Sequence, residues 1–282
     1  MAPIELTPLT LNRIFAERHA EDPPPFESVR DLFLCQHPIP ERERFRRVWL
    51  IDADDTLWED NVHYEALISE FSKYAIEAGV PLSRVQLRAV INEVEHETIP
   101  RLGFGADGFE VSLRETWRRL SSAYPLTAPG SHLERVECLL TAVVPTLRGV
   151  PHEISGETRE FLAALRSRPE EAIVLFTQGP LMTQLQKIVN STLAPLFHGV
   201  AVGANKKPES YQELLRRLTF SGIEVVVVGN SLNSEVIPAL TLGLTAVHVD
   251  NPNSWHAVNT SPVDSASYYT VTRLTDIPPL FP

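Results

Sequence analysis

The chain has 282 residues, of which 43% are hydrophobic and 22% are charged, and its formal net charge at pH 7 is −11. This composition is typical of a globular protein with one large domain and a smaller one. The acidic balance argues against nucleic-acid binding, and no apolar stretch is long enough to cross a membrane. Two distant cysteines, Cys35 and Cys138, and an N-terminus unlike a signal peptide lead us to expect a cytoplasmic protein without a disulfide framework.

Residues 1–46 precede the motifs described below and are predicted to be an N-terminal extension. Two proline-containing stretches, 23–25 and 38–40, flank an apolar patch. The patch consists of Val29, Leu32, Phe33 and Leu34. We expect the extension to be partly ordered and to pack on the protein core. The alternative is a docking segment for a partner protein.

An apolar stretch from Val48 to Ile51 ends abruptly at three acids, Asp52, Asp54 and Asp55. A continuous apolar run rich in β-branched residues is typical of a strand buried on both faces of a parallel sheet. The acids then lie at the carboxyl end of the strand, where open α/β sheets bind their ligands. Crowded carboxylates repel each other unless a cation lies between them, and hard oxygen ligands suit Mg²⁺. The stretch therefore indicates Mg²⁺-assisted chemistry with a carboxylate nucleophile.

Three further motifs carry polar groups suited to phosphoryl transfer. Two more apolar runs, 172–176 and 225–228, are followed by polar residues, and a pair of lysines opens a helix between them. The polar residues are Thr177, Gln178, Lys206, Lys207, Asn230, Ser231 and Glu235. Acids, a hydroxyl and a lysine can position a phosphoryl group and neutralise its charge.

Strands and helices alternate from residue 150 onward, which predicts an α/β fold with a doubly wound parallel sheet. This Rossmann-like core is predicted to comprise residues 47–61 and 150–282. The predicted strands are 172–176, 199–202, 224–228 and 245–249, with an edge strand at 268–271, and the predicted helices are 157–165, 180–188, 211–218 and 234–242.

The apolar spacing changes from strand-like to helical between residues 62 and 149, which predicts an inserted helical domain. Four apolar stripes indicate four helices, and Ser83 is the predicted N-cap of the second. The loop 102–108 is rich in glycine. It is either a hinge or substrate-binding loop, or a plain turn between two helices.

The segment Asp52-Ala53-Asp54-Asp55-Thr56 resembles the DxDxT motif of the haloacid dehalogenase (HAD) superfamily. The other three motifs follow in the order that this superfamily uses, so the resemblance covers residues 47–282. The segment Asp52–Asn61, the glycine-rich loop and the Gly229-Asn230-Ser231 turn resemble a branch of C1-capped small-molecule phosphohydrolases. The resemblance implies that the helical domain, residues 62–149, is a cap that closes over the site and excludes water.

The resemblance also implies roles for individual residues. Asp52 is the expected nucleophile and forms an aspartyl-phosphate, and Asp54 is the expected general acid. Thr56 is expected to fix the loop geometry, and Thr177 to donate a hydrogen bond to a phosphoryl oxygen. Either Lys206 or Lys207 is expected to hold the charge of the nucleophile, and the spacing to Tyr211 favours Lys206. Contacts with the substrate, or with the residues that hold it, are expected for Gln178, Ser231 and Glu235.

The last motif departs from the pattern of the superfamily. The expected Mg²⁺ ligands are Asp52, Asp54 and Asn230, but most phosphatases of the superfamily have an aspartate where this chain has Asn230. An amide oxygen still binds Mg²⁺, although one negative charge is lost, and Glu235 is expected to compensate directly or through water.

The predicted function is Mg²⁺-dependent hydrolysis of a small phosphorylated metabolite. Asp54 argues against dehalogenase chemistry, which needs no such acid. Two alternatives stay open. The chain could be a catalytically weak binding or scaffold protein, or a phosphotransferase that uses the same residues.

Overall fold

A computed structural model describes residues 32–35, 39, 42–126, 129–220, 222–255 and 264–282. The chain divides into two compact units. One unit contains the chain up to Asn61 together with His152–Pro282, and the other is Val62–Pro151. The second unit therefore ends at 151, where the sequence predicted the end of the cap at 149. Among the described residues, no helix has both the length and the apolar character that crossing a membrane requires.

Among the described residues, the first unit contains a seven-stranded sheet. The strands are β1 (Phe33–Cys35), β2 (Arg47–Ile51), β3 (Glu171–Gln178), β4 (Gly199–Gly203), β5 (Glu224–Gly229), β6 (Thr245–Val249) and β7 (Tyr269–Val271). Their order is β1-β4-β3-β2-β5-β6-β7, and all neighbouring strands are parallel except β1 and β4, which are antiparallel. The edge strand predicted at 268–271 is thus present as β7.

Successive residues of a strand point to opposite faces of the sheet. Helices pack against the apolar side chains on both faces. Trp49 and Ile51 of β2 pack into one apolar cluster, and Val48 and Leu50 pack into another. The first cluster includes side chains of the helices α5 (Gly156–Arg166) and α6 (Leu181–Ser191), and the second includes side chains of α7 (Pro208–Leu218). The predicted doubly wound α/β fold is confirmed.

Part of the predicted N-terminal extension belongs to this sheet. Residues 33–35 form β1, and the side chains of Leu32 and Ile39 are buried in the second apolar cluster. A strand at this position pairs the backbone groups of β4 that would otherwise lie at an open edge. The boundary predicted at residue 46 therefore does not separate the extension from the core. Val29 lies outside the described residues.

The segment after β5 differs from the single helix predicted at 234–242. A π-helical turn, Leu232–Val236, precedes a short α-helix, α8 (Ile237–Thr241). Pro238 lies in the first turn of α8. Proline has no backbone N–H and is favoured at the start of a helix, so it divides the segment into two pieces.

The second unit is a helical bundle. Its helices are α1 (Asn61–Glu77), α2 (Arg84–Leu102), α3 (Ala106–Ala123) and α4 (Gly130–Gly149). Their apolar stripes meet in one core, which includes Phe71, Ile91 and Leu113. The predicted N-cap at Ser83 is confirmed, because its hydroxyl accepts from the N–H of Gln86 while the Gln86 side chain accepts from the N–H of Ser83. Capping of this kind satisfies two backbone donors that the helix leaves unpaired.

His198 couples the stability of the first unit to pH. Its Nδ1 accepts from the N–H of Ile173 at 2.9 Å. Burial, together with Arg166 and Arg44, lowers the pKa of His198 from 6.5 to about 4. The unfolded chain therefore binds more protons than the folded chain between these values, and stability falls as the pH falls through this window.

We expect His198→Asn to weaken this dependence, because asparagine keeps an acceptor for Ile173 and does not titrate. The drop in melting temperature between pH 7 and pH 5 should be smaller than that of the wild type by about 3 °C. Calorimetry at both pH values measures this difference. Parallel curves for the two proteins would contradict the role of His198.

Candidate active site

The predicted site residues meet at the carboxyl ends of the central strands. Asp52 follows β2 directly, and its N–H donates to the carbonyl of Val228 in β5 at 2.9 Å. Asn230 follows β5, and Thr177 lies near the end of β3. All three side chains are buried. The position is the one where open α/β sheets bind ligands, because the loops after the strands diverge there.

The carboxylate of Asp52 is held at both oxygens. The ammonium group of Lys206 donates to Oδ1. The hydroxyl of Thr56 lies 3.0 Å from Oδ2. Thr56 also accepts from the N–H of Asn230 at 3.1 Å, which ties the loop after β2 to the loop after β5. The expectation that Thr56 fixes the loop geometry fits this arrangement.

The two candidate lysines occupy different environments. The side chain of Lys206 is 2% exposed, and its Nζ bridges Asp52 and Glu235. Burial opposes the charged form, but Asp52 and Glu235 outweigh it and raise the pKa of Lys206. Lys207 is exposed and is the N-cap of α7, where Pro208 begins the helix. Of the two alternatives, only Lys206 contacts Asp52.

Glu235 contacts Lys206 and the backbone of Ser231. Its Oε1 accepts from Lys206 at 2.7 Å, and its Oε2 accepts from the N–H of Ser231 at 2.9 Å. Burial and the charge of Asp52 raise the pKa of Glu235 to about 7, although Lys206 opposes this shift. Gly229 leaves room for this side chain, since an added Cβ would lie 2.3 Å from Cγ of Glu235. The contacts favour a role in holding Lys206 over direct compensation at the metal site.

The side-chain amide of Asn230 lies between Thr56 and Ser254. The oxygen lies 3.3 Å from the hydroxyl of Thr56, and the amide nitrogen donates to Ser254 at 2.8 Å. A carboxylate oxygen and an amide oxygen therefore flank the same hydroxyl, and this donor set suits Mg²⁺. Across the part of the chain that the structure describes, no group of three or more His, Cys, Asp or Glu side chains could hold a metal ion. A cation held here would thus be bound by Asp52 and Asn230 together with backbone or water oxygens.

Asp54 lies in a network that the sequence did not predict. Its Oδ1 accepts from the indole N–H of Trp58 at 2.7 Å, and its Oδ2 accepts from the side-chain amide of Gln184 at 2.9 Å. Nζ of Lys187 lies 3.0 Å from both oxygens. Lys187 also donates to Asp60 at 2.6 Å. Burial and the nearby Asp60 raise the pKa of Asp54, while Lys187 and Gln184 oppose the shift.

Asp60 contacts Lys187 through the same ammonium group that contacts Asp54. Its Oδ1 lies 2.6 Å from Nζ of Lys187 and 2.7 Å from Nε2 of His152. Burial acts to raise the pKa of Asp60, but Lys187 and His152 outweigh it and lower the pKa to about 2. Asp60 is therefore a fixed negative charge that holds Lys187 near Asp54.

The remaining predicted residues have local partners. The hydroxyl of Thr177 donates to the amide oxygen of Gln184 at 3.1 Å, so its contact with a phosphoryl group stays a prediction. Gln178 is half-buried at the end of β3. The hydroxyl of Ser231 accepts from the N–H of Ser234 at 3.0 Å and caps the π-helical turn.

Comparison with solved structures identifies the fold. A haloacid dehalogenase-like family hydrolase of Xanthomonas campestris superposes with a TM-score of 0.64 and 27% identity, over 84% of this chain and 94% of that one. The HAD-hydrolase YfnB of Bacillus subtilis, solved with magnesium, has a TM-score of 0.54 and 16% identity, over 84% and 98%. A predicted phosphoglycolate phosphatase of Haemophilus somnus has a TM-score of 0.53 and 16% identity, over 85% and 99%.

Two sequence-based comparisons gave no further relatives. No family model matches the chain, and no curated protein matches it. The structural likenesses extend over most of both chains and concern hydrolases of one fold. They show the predicted fold, and the likeness to the hydrolase of Xanthomonas campestris also supports an enzyme of that class.

Proposed function

We propose that this chain, an enzyme of the haloacid dehalogenase superfamily, is a Mg²⁺-dependent phosphohydrolase of small phosphorylated metabolites. The observation that carries the proposal is the buried pair of Asp52 and Lys206. The hydroxyl of Thr56 contacts both the carboxylate of Asp52 and the amide oxygen of Asn230. A carboxylate held in this way is a nucleophile whose charge is balanced before the substrate arrives. The neighbours of the same fold include a predicted phosphatase, which supports the proposal.

In the proposed reaction, Asp52 attacks the phosphorus atom and the bond to the leaving oxygen breaks. Lys206 balances the charge of Asp52 and of the transferred phosphoryl group. Asp52, the backbone carbonyl of Asp54 and Asn230 would hold Mg²⁺, which supplies charge neutralisation when bound. Asp54 gives its proton to the leaving oxygen, and its raised pKa suits this role. It then accepts a proton from the water that hydrolyses the aspartyl-phosphate.

The proposed function is tested by phosphate release from a panel of phosphorylated metabolites and from p-nitrophenyl phosphate. We expect Mg²⁺-dependent release that stops when the metal is chelated and resumes when Mg²⁺ is restored. 2-Haloacids serve as the comparison, because a dehalogenase of this fold would release halide from them. Halide release without phosphate release would reject the proposal, and no release from any compound would favour the scaffold alternative. Transfer to an alcohol instead of water would favour the phosphotransferase.

The unusual amide ligand gives a specific prediction. Asn230→Asp is expected to tighten Mg²⁺ by about tenfold, since a carboxylate attracts a hard cation more strongly than an amide does. Ser254 can donate its hydroxyl proton to the new carboxylate, so the side chain keeps its anchor. Titration calorimetry with Mg²⁺ measures the change, and Asn190→Asp on α6 is the control for added charge. Equal Mg²⁺ affinities of wild type and Asn230→Asp would show that position 230 is not a ligand.

A further inference from the structure

Three side chains donate hydrogen bonds to the carboxylate of Asp54. A carboxylate has about four positions at which it accepts hydrogen bonds. Trp58 and Lys187 donate to Oδ1, and Gln184 and Lys187 donate to Oδ2. The proposed reaction assigns no role to Gln184, Lys187 or Asp60. Their convergence on one reacting group therefore needs a separate explanation.

We propose that Lys187 and Gln184 are positioning residues that hold the carboxylate of Asp54 in place for proton transfer to the leaving group. This inference rests on the proposed function. Both residues lie on α6, three positions apart, and therefore on one face of the helix. One helix thus fixes the carboxylate at both of its oxygens.

Burial and charge show that this arrangement is built into the fold. The side chain of Lys187 is only 10% exposed, and it lies between Asp54 and Asp60. A cation held by two carboxylates cannot leave without exposing both to mutual repulsion. His152 in turn contacts Asp60, and its side chain is 4% exposed. Asp60 and His152 therefore fix the position of Lys187, and Lys187 fixes the position of the Asp54 carboxylate.

Gln184 has a second contact that couples Asp54 to the end of β3. Its amide oxygen accepts from Thr177, while its amide nitrogen donates to Asp54. Gly179 makes this possible, because it has a φ of +140° and an added Cβ would lie 2.9 Å from Nε2 of Gln184. Glycine adopts this backbone conformation without strain and leaves space for the amide. The amide thus joins the proposed acid to the strand end that the substrate phosphate would approach.

A positioning role predicts that the effect of Lys187 depends on the leaving group. p-Nitrophenyl phosphate releases a stable phenolate that needs little protonation, whereas phenyl phosphate releases a phenolate whose conjugate acid has a pKa of about 10. We expect Lys187→Met to lower kcat/KM about a hundredfold for phenyl phosphate but less than about tenfold for p-nitrophenyl phosphate. Lys187→Arg should recover part of the loss, because it keeps the cation. Lys73→Met, at an exposed lysine of α1, is the matched control.

The double variant Asp54→Asn/Lys187→Met separates positioning from general stabilisation. If Lys187 acts through Asp54, its removal should cost little more for phenyl phosphate once Asp54 has been replaced. Losses that multiply in the double variant would overturn the proposal, as would equal losses with the two phosphates. Should Lys187→Met fail to fold, Gln184→Met gives the same comparison, with a smaller but still leaving-group-dependent loss expected.

A second readout does not need activity. The indole N–H of Trp58 donates to Asp54, so its NMR signal reports where that carboxylate lies. The chain has 4 tryptophans, and Trp58→Phe identifies the signal. Lys187→Met and Asp54→Asn should both shift the indole signal of Trp58 upfield, while Lys73→Met should leave that signal unchanged. An unchanged signal in Lys187→Met would overturn the positioning role. Hydrolysis of neither phosphate by the wild type would reject the proposed function, and the indole signal would still decide how Asp54 is held.

Discussion

Asp52→Asn is expected to fold like the wild type and to lose turnover of p-nitrophenyl phosphate by at least about a thousandfold. The amide has nearly the shape of the carboxylate but is not a nucleophile, so the aspartyl-phosphate cannot form. Lys206 keeps its contact with Glu235, which limits the structural change. Steady-state rates measure the loss, and thermal unfolding checks the fold.

The matched control for this variant is Asp107→Asn. Asp107 is an exposed acid that pairs with Arg148 in the helical unit, and its replacement should leave turnover near the wild-type value. Turnover by Asp52→Asn within about tenfold of the wild type would contradict the assignment of the nucleophile.

The second large effect is expected for Lys206→Met, and it concerns both stability and rate. The substitution leaves Asp52 and Glu235 buried without their shared cation. Removing one partner of a buried ion pair costs about 3 kcal/mol, so the free energy of unfolding should fall by about that amount. Turnover should fall by at least about a hundredfold, because nothing balances the charge of the nucleophile or the phosphoryl group.

Two comparisons make this result specific. Lys207→Met removes the neighbouring exposed lysine and should change stability by less than about 0.5 kcal/mol. Lys206→Met/Glu235→Gln removes the unpaired acid as well, and should recover part of the stability but none of the rate. Urea unfolding and steady-state rates measure both quantities. Equal behaviour of the two single lysine variants would show that burial of Lys206 has no bearing on function.

The sequence predicted the central sheet and the positions of Asp52 and Asn230 because their signal is local. A buried parallel strand is a continuous apolar run, and its end is marked by the first polar residue. The spacing to Tyr211 favoured Lys206 over Lys207. The structure shows the contact of Lys206 with Asp52, which the sequence could not show. The side chains of adjacent residues before a helix point in different directions. The fold determines which of the two reaches Asp52 and which is exposed.

The partners of Asp54 could not be predicted in the same way. Gln184 and Lys187 alternate with apolar residues along α6, a pattern that ordinarily indicates the exposed face of an amphipathic helix. Their burial depends on Asp54, Asp60 and Thr177, which are distant in sequence. One signal in the sequence could have predicted a partner such as Lys187. Residues 52–60 contain an excess of acids, and clustered carboxylates require a cation from elsewhere in the chain.

The N-terminal strand was missed for a related reason. Residues 33–35 form too short an apolar segment to be distinguished from a loop by periodicity. Its pairing with β4 supplies the stabilisation, and that partner lies more than a hundred residues away. The contact of Glu235 with Lys206 likewise follows from the π-helical turn, which directs the carboxylate inward.

The central claim is that Asp52 becomes phosphorylated during turnover, and rapid acid quenching followed by peptide mass spectrometry tests it directly. The enzyme is mixed with Mg²⁺ and p-nitrophenyl phosphate and quenched before one turnover is complete. We predict one added phosphoryl group on the peptide that contains Asp52, and none in Asp52→Asn. Product formation at the full rate with no phosphorylated peptide, or with the phosphoryl group on another residue, would contradict the account.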